Sequence, residues 1–225
     1  MRLLTAASIL CLIATSIQAD TPRPKPERFA KDIAAFAAQE PEKGGIVFTG
    51  SSSIRRWTTL KADFPDLPVL NRGFGGSVAH DLTVYADTVV YRHEPKILVT
   101  YTGSNDLNAK LSVDEAFSDY IQFLNLVHEK LPETKVILTS VKISLKREAQ
   151  IPQVHALNGR LKAWAADKAW VRYVDCDSYL ADASGKPIRS YFVDDLLHLS
   201  TSGYAKWTEI LGPVLREEWA KMKKP

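Results

Sequence analysis

Short apolar runs alternate with longer amphipathic stretches along most of this chain. The runs are Ile46 to Thr49, Val69-Leu70, Ile97 to Tyr101, Val136 to Thr139 and Val171 to Val174. Each is too short for a helix and rich in β-branched or aromatic residues, so each predicts a buried strand. Between them lie segments of helical spacing. Phe29, Ile33 and Phe36 recur on one helical face ahead of Pro41 and Gly44-Gly45. The clearest helix starts at Ser112, where Ser112-Val113-Asp114-Glu115 has the pattern of a capping box. It runs through Ala116, Tyr120, Phe123, Leu124 and Val127 and stops before Pro132. A last helix is expected from near Thr201 to about Met222, with Pro213 kinking or breaking it.

Five short strands alternating with helices predict a parallel sheet with helices on both faces, as βαβ crossovers require. No long polar linker and no solenoid-length repeat interrupts the pattern. Residues 27–225 therefore read as a single α/β domain.

The two ends of the chain differ from its body. Arg2, the almost uncharged apolar stretch Leu3 to Ile17 and the small Ala19 have the layout of a secretory signal, so residues 1–19 are expected to be removed. The apolar stretch is shorter than the roughly 20 residues a membrane span needs, so no stable membrane anchor is expected after cleavage. Leu10 before Cys11 is too large for a lipid-attachment motif. A periplasmic or secreted location follows from this reading. Residues 20–26, with Pro22, Pro24 and Pro26, read as an extended lead-in.

Composition changes the picture little. The chain has 225 residues, 45% hydrophobic and 24% charged, enough to bury a core without metals or staples. A formal charge of +3 with scattered Lys and Arg gives no footprint for nucleic acid. Loss of Cys11 with the leader would leave Cys176 alone, unable to form an internal disulfide, and its apolar neighbours suggest core packing.

Ligands of open parallel sheets sit beyond the carboxyl ends of the strands. Four polar stretches occupy such places or lie just ahead of the last helix: Gly50-Ser51-Ser52-Ser53, Asn71-Arg72-Gly73-Phe74-Gly75-Gly76-Ser77, Gly103-Ser104-Asn105-Asp106, and Asp194-Asp195-Leu196-Leu197-His198. Singly, each has an ordinary explanation. Serines after a strand cap helices, Asn-Asp pairs make turns, and a lone histidine is commonly a structural hydrogen-bonding residue. The glycine-rich stretch begins like a dinucleotide fingerprint, but Val78 stands where the third glycine belongs.

Together they meet the requirements of acyl transfer. That chemistry needs a nucleophilic hydroxyl, an imidazole to take its proton, a carboxylate to orient the imidazole, and donors for an oxyanion. The chain supplies them in the order Ser, Asp, His, one of the orders in which this constellation recurs. His80, His93, His128 and His155 lie within or beside predicted helices, without a carboxylate partner at a strand end. No His-Glu-x-x-His or Cys-x-x-Cys pattern offers a metal site.

The four blocks, in this order, resemble those of the SGNH (GDSL-like) hydrolase family over nearly the whole mature chain. The resemblance implies a flavodoxin-like, three-layer α/β/α sandwich with about five parallel strands. It places the nucleophile at Ser52, the carboxylate and base at Asp195 and His198, and the oxyanion donors at Ser52, Gly76 and Asn105. Ser51 stands where the family usually has Asp, a residue outside the triad. The implied activity is hydrolysis of short-acyl or carbohydrate O-acetyl esters, with no cofactor and a small-molecule or carbohydrate ester as partner. A lipase, lysophospholipase or thioesterase is the alternative within the fold, and a non-catalytic carbohydrate- or envelope-binding domain the alternative outside it. No apolar lid segment favours long acyl chains, although Phe74 and Trp57 could line a groove.

Overall fold

The computed structural model describes residues 21–222. The leader expected over residues 1–19 lies outside them. Five strands form one parallel sheet: β1 (Ile46–Gly50), β2 (Val69–Gly73), β3 (Ile97–Tyr101), β4 (Lys135–Thr139) and β5 (Val171–Val174). Their order is β2-β1-β3-β4-β5. The chain steps outward from β1 to β2, returns across β1 to β3, and then adds β4 and β5. That reversal separates the loops leaving β1 and β3 and opens a crevice at their carboxyl ends, the place where open α/β sheets bind ligands.

Alternation along the strands divides the core in two. Val47, Leu70, Leu98, Val136 and Leu138 face one side, beneath the helices Ala30–Ala37, Ala79–Val84, Val113–Lys130 and Ile151–Ala165. Ile46, Phe48, Ile97, Val99, Tyr101 and Ile137 face the other, beneath the helix Thr201–Met222 and the segment that carries Trp57, Leu60 and Phe64. The result is the expected three-layer sandwich. Each fully buried Leu, Ile or Phe contributes about 1.5–3 kcal/mol of transfer free energy. The capping box at Ser112 is present, with Glu115 N–H donating to Ser112 Oγ at 3.1 Å and Ser112 N–H to Glu115 Oε2 at 2.7 Å. Among the described residues no helix is long and apolar enough to cross a membrane.

One expectation is narrowed and another corrected. Pro213 lies inside the Thr201–Met222 helix, which does not break there. Tyr204, Trp207, Leu211, Leu215 and Glu218 are buried along one face on both sides of the proline. That packing offsets the backbone bond the ring removes. Phe74 and Trp57 offer almost no surface for an acyl groove, being 0% and 1% exposed. Phe74 meets Phe29 edge-on at 4.9 Å, and Trp57 stands among Phe48, Phe64, Tyr204 and Trp207.

The lead-in is extended but tied down. Thr21 N–H donates to Glu115 Oε1 at 2.6 Å, and Arg23 grips both oxygens of Asp119 at 2.8 and 3.0 Å. Carboxylates in the first turns of the Val113–Lys130 helix thus anchor the start of the described chain.

Candidate active site

Ser52 owes its position to the end of β1. Gly50 pairs with Gly73 on one side and Tyr101 on the other, at φ +134°. A Cβ there would lie 1.9 Å from the Tyr101 carbonyl oxygen. Only glycine lets the strand end so close to β3. Ser51 N–H then donates to Tyr101 O at 3.1 Å, and Ser51 O accepts from Ile54 and Arg55 N–H as the short helix Ser52–Arg55 begins. Ser51 and Ser53 are buried, whereas Ser52 is half-buried, so the side chains of the three serines part at the strand-to-helix turn.

The partners arrive on a tight loop before the last helix. An antiparallel bridge between Phe192 and Leu199 closes it. Inside, Asp195 Oδ1 accepts the N–H groups of Leu197 and His198, each at 2.9 Å, while Leu196 takes φ +60°. Asp195 Oδ2 lies 2.7 Å from His198 Nδ1, and His198 Nε2 lies 2.9 Å from Ser52 Oγ. A carboxylate only accepts, so the Nδ1 hydrogen belongs on the Asp195 side. In the neutral imidazole this leaves the lone pair of Nε2 facing Ser52. Asp194 points away into solvent and pairs with Arg189 at 3.0 Å.

Electrostatics favour that protonation state. Burial would raise the Asp195 carboxyl, but the bonds from the His198 backbone and imidazole and the Leu197 N–H outweigh it and hold the group below the usual carboxylate range. Burial lowers the His198 pKa, the hydrogen bond to Asp195 opposes this, and the nearby cations Arg56 and Lys142 push it down further, for a net fall below 6.5. Arg56 Nη1 lies 3.2 Å from Asp195 Oδ2 at the exposed rim.

Gly76 lies in the tight turn Phe74–Ser77, closed by a 3.4 Å bond from Ser77 N–H to Phe74 O, and its φ of +90° is the sign that a type II turn needs at its third residue. Asn105 opens the short helix Ser104–Asn108, and its Nδ2 donates to Ser77 O at 3.0 Å. Asp106, wholly buried, ties the same two loops together by accepting Ala79 N–H at 2.8 Å and Gly103 N–H at 3.1 Å. Burial pushes its carboxyl up to about 7. The structure therefore links Ser52, His198 and Asp195 in one hydrogen-bonded chain, and links Asn105 to the Gly76 turn through Ser77.

Sequence reasoning passed over the loop after β4, which touches both halves of the site. Lys142, 3% exposed, donates from Nζ to Leu197 O, and burial lowers its pKa to about 7. Lys146 N–H donates to Leu196 O at 2.9 Å. Arg147 donates to Ser104 O at 2.8 Å, Ser104 Oγ at 2.7 Å and Asn105 Oδ1 at 3.0 Å. The one available signal was the position of this stretch just beyond a strand.

Three of the other histidines have different surroundings. Buried His93 accepts from Arg72 Nε at 3.2 Å, and His128 stacks on Trp170 with ring centroids 4.2 Å apart. His155 requires a correction, because a carboxylate beyond a strand does lie near it: Asp177 Oδ2, after β5, is 3.9 Å from His155 Nε2. That exceeds hydrogen-bonding reach, and Asp177 gives its other oxygen to Ile143 N–H. Cys176 is fully buried, and burial pushes its thiol pKa up. Among the described residues no group of three or more His, Cys, Asp or Glu is placed to hold a metal ion.

Known proteins share this architecture. A protein from Streptococcus pneumonia described as a platelet activating factor is 22% identical, with 84% of this chain and 92% of that one covered at a TM-score of 0.75. A GDSL-like lipase from Bacteroides thetaiotaomicron is 21% identical, with 85% and 97% covered at a TM-score of 0.70. A catalytic mutant of an acetylxylan esterase from Geobacillus stearothermophilus is 17% identical, with 80% and 96% covered at a TM-score of 0.59. At these identities the likeness speaks for the fold alone. No curated protein matches the chain. The model of the GDSL-like Lipase/Acylhydrolase family matches residues 18–206, most of the sequence, and the chain belongs to that family.

Proposed function

We propose that this protein is a serine ester hydrolase acting on short-acyl esters such as O-acetyl groups on carbohydrate, with Ser52, His198 and Asp195 as its triad. The observation that carries the reading is the unbroken chain of 2.7 and 2.9 Å contacts from Asp195 through His198 to Ser52.

The Asp195–His198–Ser52 contacts support the following steps. Neutral His198 removes the Ser52 hydroxyl proton as Oγ attacks the ester carbonyl carbon. Asp195 remains a carboxylate, holding the ring and stabilising the imidazolium. The carbonyl oxygen becomes an oxyanion that accepts from the backbone N–H groups of Ser52 and Gly76 and from Asn105 Nδ2. The tetrahedral adduct collapses, the C–O bond to the alcohol breaks, and His198 gives its proton to the departing oxygen. Water, deprotonated in turn by His198, attacks the acyl-serine and releases the acid.

Two points favour a small acyl group. Phe74 and Trp57, which the sequence offered for an acyl groove, are buried in the core. The acetylxylan esterase of the same fold acts on an acetylated carbohydrate, as its name states. Nitrophenyl esters of graded chain length, run beside acetylated xylose oligomers, test the reading. Turnover falling steeply beyond short chains, with acetate released from the oligomers, is the expected result. A protein that turns over none of these esters is not the enzyme proposed. We further propose export from the cytoplasm, checked by intact mass of protein recovered outside the cytoplasm; a chain still starting at Met1 would overturn it.

A further inference from the structure

The Asn105 amide can serve an oxyanion only if its nitrogen, rather than its oxygen, is turned to the nucleophile. Side-chain amides are nearly symmetric in shape, so their neighbours must decide. Two neighbours do so here. The Ser77 carbonyl can only accept, so the atom 3.0 Å from it is Nδ2. The Arg147 guanidinium can only donate, so the atom 3.0 Å from its Nη2 is Oδ1. Flipping the amide would set oxygen against oxygen and N–H against N–H. Arg147 is itself braced, with Nη1 donating to Ser104 O at 2.8 Å and Ser104 Oγ at 2.7 Å.

We propose that Arg147 is a positioning residue of the oxyanion hole, which locks the Asn105 amide with one N–H on Ser77 O and the second free for the developing oxyanion. The proposal rests on the ester-hydrolase reading above. Nδ2 carries two hydrogens, and Ser77 takes one. A cation on Oδ1 also draws electron density from the amide, which strengthens the remaining N–H as a donor. The fork of the guanidinium matters: Nη1 reaches both oxygens of Ser104 while Nη2 reaches Asn105. A lysine ammonium is a single point and cannot span the same acceptors in that geometry. The simpler possibility is that Arg147 only pins the β4 loop to the Ser104–Asn108 helix. In that case its loss would weaken the fold without touching the chemical step.

A double-mutant cycle between Arg147 and Asn105, read with a short-chain nitrophenyl ester, separates the two. Asn105→Ala removes the donor and should lower kcat by about 10²–10³. Arg147→Ala leaves the donor but frees it, so kcat should fall by a smaller factor, on the order of 10 to 10², with KM nearly unchanged. In the Asn105→Ala background the same change should do almost nothing, because there is no amide left to hold. Arg147→Lys should fall between wild type and Arg147→Ala, and it carries the cycle if the alanine variant does not fold. Equal kcat losses from the Arg147 change in both backgrounds would overturn the proposal. So would an unchanged kcat beside a lowered thermal midpoint. Turnover that survives Ser52→Ala would instead sink the Ser52 triad on which this proposal rests, and absence of any ester turnover in the wild type would sink the ester-hydrolase reading itself. Turnover that needs Ser52 and Asn105 but shows no coupling to Arg147 removes this proposal alone.

Discussion

His198 Nε2 lies 2.9 Å from Ser52 Oγ across 146 positions of sequence, while the neighbours Ser51 and Ser53 are buried at 3% and 2% exposure. Only the middle serine of the three offers its hydroxyl to an imidazole. Ser52→Ala should therefore abolish covalent labelling by an organophosphonate and nearly all ester turnover, while the thermal midpoint stays close to wild type. Ser51→Ala and Ser53→Ala should keep both, at a stability cost of about 0.5–2 kcal/mol if a buried hydroxyl loses a partner. Peptide mapping of the labelled protein checks the assignment directly. An adduct on Ser51 or Ser53 would contradict it.

The adjacent aspartates are expected to behave as opposites. Asp195 accepts from the His198 ring and from two backbone N–H groups, whereas Asp194 pairs with the exposed Arg189. Asp195→Asn should leave the fold in place but present the imidazole in the wrong tautomer, with a loss in kcat on the order of 10⁴ at neutral pH. Asp194→Asn, breaking one surface ion pair, should cost less than about 1 kcal/mol of stability and leave kcat alone. Steady-state kinetics on the two variants settle the register of this loop.

Much of this architecture was legible because burial restricts residue type. Val, Ile, Leu and Phe concentrate in the central strands, which both faces cover, and these stood out as apolar runs. The edge strand β2 showed only its first two residues, because Asn71 and Arg72 are polar members of it. They spend their polarity locally: Asn71 donates to Ile54 O and accepts from Gly73 N–H, and Arg72 bonds to His93. The candidate triad was legible for a different reason. Acyl transfer by this route admits few residue types and strand ends are few, and the family resemblance then singled out Ser52 among the three serines and Asp195 and His198 ahead of the last helix. Lys142 and Arg147 were not legible, since their task is a hydrogen bond from a cation to a carbonyl or amide oxygen, which any Lys or Arg could make. Only their placement beyond β4 sets them apart. That the helix runs on past Pro213 was not legible, because packing on both sides of a proline is invisible to a local rule.

Gly50 and Gly76 both have positive φ, yet they should respond differently to alanine. A Cβ on Gly76 meets nothing within 4 Å, so Gly76→Ala carries only the backbone penalty, about 1–2 kcal/mol. On Gly50 it meets the Tyr101 carbonyl oxygen at 1.9 Å and the carbonyl carbon at 2.8 Å. Either β1 parts from β3 or the turn into Ser52 shifts. Gly50→Ala should therefore lower the thermal midpoint well beyond Gly76→Ala, at about 2–4 °C per kcal/mol for a chain of this size. Thermal melts of the pair test the ranking, and equal midpoints would refute it.

Only neutral His198 can take a proton from Ser52, so kcat/KM should fall as pH drops through the His198 pKa. The charged groups that set this pKa are Asp195, which raises it, and Arg56 and Lys142, which lower it along with burial. The net shift is downward, so the acid limb of the profile should lie below 6.5, with full activity through neutral pH. Arg56→Gln removes one of the two depressing charges, and it also frees Asp195 from the 3.2 Å contact that competes for its negative charge. Both changes favour the imidazolium, so the limb should move to higher pH and activity at a fixed mildly acidic pH should drop. Because the Arg56 side chain is 51% exposed, added salt should move the wild-type limb the same way. Arg56 is not a partner in the Ser52 to His198 contact, so the plateau of kcat at alkaline pH should stay near wild type. Profiles of kcat/KM for wild type and Arg56→Gln at low and high ionic strength provide the check, and a limb that stays fixed or moves to lower pH would show that Arg56 does not tune the base.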